Sequence, residues 1–314
     1  MSSPRALLES FLAERALYVS ASTACGDLFY LQRFLEFLEE RKVKRVGAVS
    51  LEMLEAYRHR LNTVPGKRGE QLSEAYKHRA LHVPRLFMMW ALREGHTLVD
   101  FERFPLPHRT LPEIVVPTVA QVEMLLNAPD PNSPPGRRDR LVLESFYTLG
   151  LRRRESHLLN IEDLNLSQQT VKVMGKRSRE RVLPLSSRLC RLLSEYLKEA
   201  RPYLRPFPEE RALWVSPQNG TRLGYTYMRD IVWRNSEKLG LGKIYPHLLR
   251  HACATHMLEA GAKLEHIQAF LGHSVPSSTE RYTQVTDSEL QKVHRHFHPR
   301  ARCGMWQVEE RFCD

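Results

Sequence analysis

Apolar side chains recur at helical spacing through the first 95 residues of the chain. One apolar stripe runs from Leu7 to Ala16 and a second from Leu28 to Leu38, and each predicts an amphipathic helix. Ser50 is a suitable N-cap for a third helix, and Leu72 to Arg93 gives a fourth pattern that Pro84 is expected to bend or break. Four helices in about 90 residues predict a small helical bundle.

The pattern changes after residue 95. Residues 96–117 contain four prolines and lack helical periodicity, so they predict an extended linker. Thr118 and Gln121 then have the spacing of a capping box, which starts a second domain. Alternation over residues 170–185 predicts a β-hairpin with a basic turn, and residues 212–216 predict a further strand. Other helices are predicted for residues 138–149, 186–200 and 224–239, from His247 to Gly261, for 264–271, and for a terminal segment ending at Pro299. Trp233 is expected to face inward from the helix of residues 224–239.

The predicted fold class is therefore mostly α, with an N-terminal helical bundle followed by an α+β domain that carries a small antiparallel sheet. The predicted boundaries are residues 1–95 for the bundle, 96–117 for the linker, 118–285 for the second domain, and 286–314 for a C-terminal helix and tail.

The charge of the chain points to a polyanionic partner. Its 314 residues carry a net charge of +11 and are 42% hydrophobic, which is typical of a soluble globular protein that binds nucleic acid. An anionic membrane surface is a weaker alternative, because no segment combines a strong apolar face with a basic one. The sequence shows no long apolar run and no signal peptide at its start, so a cytoplasmic location is expected. Five scattered cysteines predict reduced thiols rather than disulfides or a zinc site: Cys25, Cys190, Cys253, Cys303 and Cys313.

Basic side chains on the predicted bundle are candidates for contacts with phosphates. Arg58, Arg60, Lys77 and Arg79 lie on polar faces of the third and fourth helices. In a basic protein such a group suits a nucleic-acid backbone. For each residue alone, a solvated helix face is an equally good interpretation.

Two histidines, an arginine and a tyrosine form an ordered set late in the chain. His247 and Arg250 are three residues apart and share a helix face, His273 follows Leu-Gly, and Tyr282 comes nine residues later. Arginine and histidine bind phosphate oxygens, and neighbouring cations help a tyrosine lose its proton. No carboxylates are interleaved with these histidines, so the set does not favour a divalent metal. The residues therefore indicate attack of Tyr282 on a nucleic-acid phosphate without a metal or another cofactor.

This ordered set resembles the tyrosine recombinase (phage integrase) family, and most closely its compact Xer-type members. The resemblance implies a helical domain that clamps DNA opposite a catalytic domain. It also implies a site-specific recombinase that joins DNA through a 3′-phosphotyrosine. The implied partner is double-stranded DNA with paired half-sites, bound by a homo- or hetero-tetramer on two DNA sites. The alternative biological roles are chromosome dimer resolution and the mobility of an integrating element.

The family's first catalytic arginine lies in a Gly-Leu-Arg-x-x-Glu motif. That motif places it at Arg152, with Glu155 as a supporting carboxylate, because the spacing from Gly150 matches. Arg153 and Arg154 depart from the apolar and small residues usual there. Three successive arginines point in different directions on a helix, so at most one or two can meet one phosphate.

The remaining roles also follow from the resemblance. Lys176 is implied as the general acid for the departing 5′-oxygen; Lys172, Arg177 and Arg179 are the alternatives, and Arg177 and Arg179 are also candidate contacts with the DNA backbone. The other implied catalytic residues are His247 as general acid/base, Arg250 and His273 as phosphate ligands, and Tyr282 as nucleophile.

Two other functions remain open from the sequence. A type IB topoisomerase uses nearly the same residues, but its usual helical insertions are absent. A catalytically silent DNA-binding regulator is disfavoured because all six catalytic positions carry the required residue types.

The C-terminal segment leaves two further alternatives. Its apolar spacing, Leu290, Val293 and Phe297, predicts a helix that docks on a neighbouring protomer or else folds back on its own domain. His294 and His298 are one helical turn apart, but no third ligand for a metal is evident.

Overall fold

The computed structural model describes residues 3–66, 69–107, 115–175, 180–272 and 287–301. The chain divides into two compact units, Met1–Glu113 and Ile114–Asp314. Each unit is described by itself.

The N-terminal unit is the predicted helical bundle. Its helices are α1 (Pro4–Tyr18), α2 (Ala21–Glu40), α3 (Leu51–Thr63) and α4 (Glu74–Arg93), with a 3₁₀ turn at Val46–Ala48. A serine caps the start of each of the four helices, because its hydroxyl accepts an otherwise free backbone N–H: Ser3, Ser20, Ser50 and Ser73. Phe101 and Phe104 are buried in the same core, so part of the predicted linker belongs to this unit.

The expected break at Pro84 is wrong. Helix α4 continues through Pro84 from Glu74 to Arg93, although proline cannot donate the backbone hydrogen bond of that position. Pro84 is buried between Val83 and Phe87, which both pack in the core. The burial of the helix residues on either side of Pro84 therefore outweighs the loss of this hydrogen bond.

The C-terminal unit surrounds a larger core with eight helices and a small sheet in the part of the chain that is described. The helices are α5 (Val119–Asn127), α6 (Pro134–Tyr147), α7 (Arg153–Leu158), α8 (Ser187–Glu195), α9 (Tyr225–Lys238), α10 (Pro246–Glu259), α11 (Leu264–Leu271) and α12 (Asp287–Phe297). Tyr196–Ala200 is a π-helical turn, and 3₁₀ turns lie at Ile161–Asp163 and Arg201–Leu204. The capping box at Thr118 and Gln121 is confirmed by both of its hydrogen bonds.

The sheet is antiparallel with strand order β1 (Leu164–Asn165), β2 (Thr170–Met174) and β3 (Glu180–Pro184). The pairing of β2 with β3 confirms the predicted hairpin. Val171 and Val173 point into the core, and Val173 lies opposite Arg181. An arginine therefore occupies a core-side position of β3.

Three details of the second unit differ from expectation. Helix α6 begins at Pro134, four residues before the predicted start, because Ser133 caps it and proline suits the first turn. The predicted strand at residues 212–216 forms isolated bridges instead. There, side chains satisfy the backbone carbonyls: Arg201 donates to Ala212, and the hydroxyl of Tyr196 donates to Leu213 at 2.9 Å.

The third difference is Trp233, which was expected to face inward and is half-buried.

Helix α12 packs on its own domain. Leu290 and Val293 are part of the core, where the helix lies against α11 and β3. The single chain thus shows the fold-back arrangement, and docking on a neighbouring protomer stays a prediction. His294 and His298 are fully buried and bind the backbone carbonyls of Thr148 and Tyr147. No cluster of three or more potential metal ligands exists among the described residues.

Within the described ranges, no helix is both long enough and apolar enough to traverse a lipid bilayer.

Candidate active site

A glycine turn directs the first candidate arginine. Helix α6 ends at Tyr147, and Gly150 adopts a left-handed conformation with φ of 57°. A Cβ at this position would collide with the side chain of Leu271, so glycine is needed both for the turn and for the close approach of α11. The chain then enters α7 with Arg152 as its N-cap residue.

Glu155 holds Arg152 from the first turn of α7. Its carboxylate accepts the backbone N–H of Arg152 at 2.8 Å and its Nη1 at 2.7 Å. Nη2 of Arg152 donates to the carbonyl of Gly272 at 3.2 Å. The Glu155 side chain is 4% exposed, whereas that of Arg152 is 36% exposed, so the carboxylate is covered while the guanidinium remains accessible.

Arg250 reaches the same place from α10. Its Nη1 donates to the carbonyl of Gly150, and its Nη2 donates to that of Leu271 at 2.7 Å. Nη1 also lies 3.8 Å from Oε2 of Glu155. Helix α11 ends at Leu271 with Gly272 in the left-handed region, so its last carbonyls are available to outside donors.

A third arginine completes the cluster, and the sequence motifs did not point to it. Arg181 on β3 donates to both oxygens of Glu155, at 3.1 and 2.9 Å. One signal in the sequence could have found it. Arg181 interrupts the apolar alternation of a hairpin, and a charged residue on the core side of a strand must find a buried partner.

The three guanidinium groups leave the cluster positively charged. Within the described part of the chain, Arg152, Arg181 and Arg250 share Glu155 as their carboxylate. Burial opposes ionisation of Glu155, but the hydrogen bonds and charge of Arg181, followed by those of Arg152, hold its pKa below the usual value. Burial, followed by the charge of Arg152, lowers the pKa of Arg250 to about 10. An anion at the exposed side of the cluster would relieve this repulsion.

The three successive arginines take different directions, as helical geometry requires. Arg152 binds Glu155, whereas the guanidinium of Arg153 lies 3.8 Å from the ring centre of Tyr225. Arg154 is exposed. The structure thus brings Arg152, Glu155 and Arg250 together and turns the other two arginines elsewhere.

His247 precedes Arg250 by one turn of α10 and is exposed. Partial desolvation, followed by the positive charges of Arg153, Arg250 and His251, lowers its pKa. The neutral ring is therefore favoured near pH 7, and a neutral imidazole can accept a proton.

Five predicted site residues lie outside the described residues: Lys176, Arg177, Arg179, His273 and Tyr282. Lys172, an alternative to Lys176, is exposed on β2 and pairs with Glu180 at 3.3 Å.

The four basic candidates of the N-terminal unit all form ion pairs there. Arg58 pairs with Glu55, Arg60 with Glu40, Lys77 with Glu74 and Arg79 with Asp27. The Lys77 side chain is 10% exposed, against 34% to 40% for the three arginines. The arginines are therefore more accessible to a phosphate backbone than Lys77.

The chemistry of the cluster is that of an anion site. Guanidinium groups do not ligate cations, but they bind phosphate oxygens through paired hydrogen bonds. Fold and site together define a helical protein whose α+β unit presents a cluster of arginines with the chemistry to bind an anion.

Comparison with known proteins assigns this site to a family. The phage integrase family profile matches residues 117–289. Tyrosine recombinase XerC 2 of Ralstonia nicotianae is 35% identical over 288 residues, covering 89% of this chain and 81% of that protein. Tyrosine recombinase XerD of Staphylococcus epidermidis is 32% identical over 280 residues, covering 86% of this chain and 90% of that protein. The chain belongs to the phage integrase family, as a tyrosine recombinase of the Xer type.

Solved structures share the fold. The Tn1549 transposon integrase in complex with circular intermediate DNA matches with a TM-score of 0.67 at 18% identity, over 93% of this chain and 99% of that chain. The XerH site-specific recombinase bound to difH substrate matches with a TM-score of 0.63 at 20% identity, over 93% of this chain and 81% of that chain.

Proposed function

We propose that this protein is a site-specific DNA recombinase that cuts and rejoins DNA through a 3′-phosphotyrosine intermediate. The observation that carries the proposal is the convergence of Arg152 and Arg250 on Glu155 and on the last carbonyls of α11. Two guanidinium groups, one at the start of α7 and one on α10, then offer donors to one scissile phosphate. The relatives are named tyrosine recombinases. Among the solved structures with this fold, the Tn1549 integrase is in complex with DNA and XerH is bound to its difH substrate.

The proposed reaction needs no cofactor. The Tyr282 oxygen attacks the phosphorus, the bond to the 5′-oxygen breaks, and Lys176 gives that oxygen its proton. His247 accepts the tyrosine proton, while Arg152, Arg250 and His273 neutralise charge that develops on the non-bridging oxygens. The phosphotyrosine bond retains the energy of the broken bond, so a 5′-hydroxyl can restore a phosphodiester by the reverse step.

The proposed partner is double-stranded DNA with paired half-sites, acted on in the cytoplasm. A homo- or hetero-tetramer would hold two such sites, with residues 286–314 available for protomer contacts. Arg58, Arg60 and Arg79 are proposed contacts with the DNA backbone, together with Arg177 and Arg179 in the hairpin turn. Lys77 is expected to contribute least, because its side chain is largely covered.

Two other functions are weaker. A type IB topoisomerase would relax supercoiled DNA without a paired site. A catalytically silent regulator would have no use for two converging guanidinium groups held around a buried carboxylate.

The nucleophile is tested first. Sequencing the DNA that becomes covalently trapped on the purified protein defines the site, from which a nicked suicide substrate is made. The wild-type protein should form a covalent adduct on a denaturing gel. Tyr282→Phe should form none but should still shift the same duplex, because it loses only the attacking oxygen.

An adduct that persists with Tyr282→Phe would contradict the assignment. Relaxation of supercoils without any trapped preferred sequence would favour the topoisomerase.

A further inference from the structure

Arg181 uses its whole guanidinium group inside the protein. Nη1 and Nη2 donate to the two oxygens of Glu155, at 3.1 and 2.9 Å, and Nε donates to the carbonyl of Phe270 at 3.3 Å. Its side chain is 14% exposed, against 36% for Arg152. A guanidinium with every nitrogen engaged in this way is poorly placed to bind a phosphate itself.

Arg181 instead contacts both groups that hold Arg152. The first is Glu155, which accepts Nη1 of Arg152 at 2.7 Å. The second is Gly272, whose carbonyl accepts Nη2 of Arg152 at 3.2 Å. A Cβ on Gly272 would lie 3.1 to 3.2 Å from the guanidinium and Cδ of Arg181. The Arg181 side chain therefore packs directly against the end of α11 that positions Arg152.

The charge of Arg181 also supports the ionised state of Glu155. Burial raises the pKa of this carboxyl, and the hydrogen bonds and charge of Arg181 are the largest effects in the opposite direction. Arg152 contributes less to this stabilisation than Arg181 does. Without Arg181, a buried carboxylate would lose its main partner and two hydrogen bonds.

Arg181 also connects the β2–β3 hairpin to the rest of the site. It lies on β3 one residue after the start of the strand and five residues after Lys176. The β2–β3 hairpin is thereby tied, close to its turn, to α7 through Glu155 and to α11 through Phe270.

We propose that Arg181 is a positioning residue for strand cleavage, acting through Glu155 and the end of α11 to aim Arg152 at the scissile phosphate. This inference rests on the proposed recombinase function and deepens it. Arg181 itself does not touch the phosphate. Its removal leaves Arg152 in place along the chain but free to turn away from its productive direction.

The test compares Arg181→Gln with the wild-type protein on two nicked suicide substrates. One carries the natural phosphate, and the other carries a neutral methylphosphonate at the scissile position. On the phosphate, the cleavage rate should fall by at least roughly tenfold, as for a displaced catalytic group. On the methylphosphonate the loss should be much smaller, because less charge has to be neutralised in the transition state.

Two further measurements and two further variants keep the outcomes distinct. Circular dichroism gives the folded fraction, and gel shifts give DNA affinity, so rates are compared per folded and bound molecule. Arg211→Gln is the matched control in the same unit, because the Arg211 side chain is exposed and pairs with Glu162 away from the cluster; it should cleave both substrates at wild-type rates. Arg181→Lys keeps the charge but not the fork, and it should remain close to Arg181→Gln.

Equal losses on both substrates would show a general structural role and overturn the proposal. Wild-type rates for Arg181→Gln or for Arg181→Lys would overturn it as well. Failure of the proposed function has a different signature, since the wild-type protein would then form no adduct with either substrate.

Discussion

At the scale of single residues, backbone carbonyls do as much as side chains to hold the arginines that are proposed to bind the phosphate. Arg152 donates to Gly272, and Arg250 donates to Gly150 and Leu271. Each bond requires the planar fork of a guanidinium, which offers several donors in fixed directions. A lysine at either position could satisfy one partner and would leave the others free.

Replacement of Arg152 by lysine tests this dependence on shape. The charge is kept, but Glu155, Gly272 and the phosphate can no longer be contacted together. We expect the rate of covalent adduct formation to fall by at least roughly a hundredfold, on the scale of losing one strong transition-state donor. Suicide-substrate cleavage measured under single-turnover conditions checks this value.

The neighbouring arginines provide the control for that experiment. Arg153→Lys and Arg154→Lys should retain much more activity, because Arg153 lies over Tyr225 and Arg154 is exposed. If either of these variants loses activity while Arg152→Lys remains active, the catalytic arginine has been assigned to the wrong residue.

The resemblance to the family implied that Arg152, Glu155 and Arg250 share one site, and the structure brings these three side chains together. The sequence did not predict Arg181, whose role depends on which side of a hairpin faces the core. It also could not supply the contacts with Leu271 and Gly272, since these carbonyls are identified only by where α11 ends in space. The sequence therefore identified the side chains of the site, but it did not identify the backbone carbonyls that hold them.

At the scale of elements, α12 is joined to α6 through two buried histidines. Nε2 of His294 lies 3.0 Å from the carbonyl of Thr148, and Nε2 of His298 lies 3.3 Å from that of Tyr147. The ring of His294 also stacks on Phe270 with centroids 5.3 Å apart. The terminal helix therefore closes over the segment that leads into Gly150 and Arg152.

This arrangement predicts a loss of stability in acid. Burial lowers the pKa of His294 from 6.5 to about 4, against the opposing hydrogen bond to Thr148. Because the folded state favours the neutral ring, the stabilisation is complete above about pH 6.5 and decreases as the pH falls towards 4. The free energy of unfolding should decrease by about 1.4 kcal/mol per pH unit from this group, or about 3 kcal/mol in all.

Urea unfolding at several pH values measures this effect. His294→Gln can still donate to Thr148 but does not titrate, so its stability should depend less steeply on pH than that of the wild-type protein. Lys292→Gln, at an exposed position of the same helix, removes no imidazole; it is the control and should keep the wild-type slope. Identical slopes for all three proteins would contradict the buried neutral state of His294.

Element boundaries were predictable where capping residues or periodicity marked them. The bounds of α11 at residues 264–271, the hairpin and the Thr118 capping box were all readable from local signals. The strand expected at 212–216 was not formed, because distant side chains from 196 and 201 satisfy its carbonyls. Local patterns contain no information about such partners.

At the scale of the whole molecule, the net charge of +11 predicts strongly salt-dependent DNA binding. Phosphate contacts release counterions, so affinity for a duplex half-site should fall on the order of a thousandfold between about 50 and 200 mM salt. Arg60→Gln should reduce the slope of log affinity against log salt by about one. Fluorescence anisotropy across a salt series measures both quantities.

Lys77→Gln is the comparison, because this side chain is 10% exposed whereas that of Arg60 is 40% exposed. For Lys77→Gln, the slope of log affinity against log salt should match the wild-type value. A slope reduced as much as in Arg60→Gln would show that Lys77 reaches the DNA after all.

The carbonyls at the end of α11 have a consequence for the newly made protein. They accept hydrogen bonds from Arg152, Arg181 and Arg250, and the contact with Arg152 spans 120 residues of sequence. Contacts of such separation form late, after the intervening chain has been synthesised and has closed its loops. A ribosome-bound or half-folded chain therefore lacks the assembled arginine cluster, and the proposed ability to cut a DNA strand arises only with the finished domain.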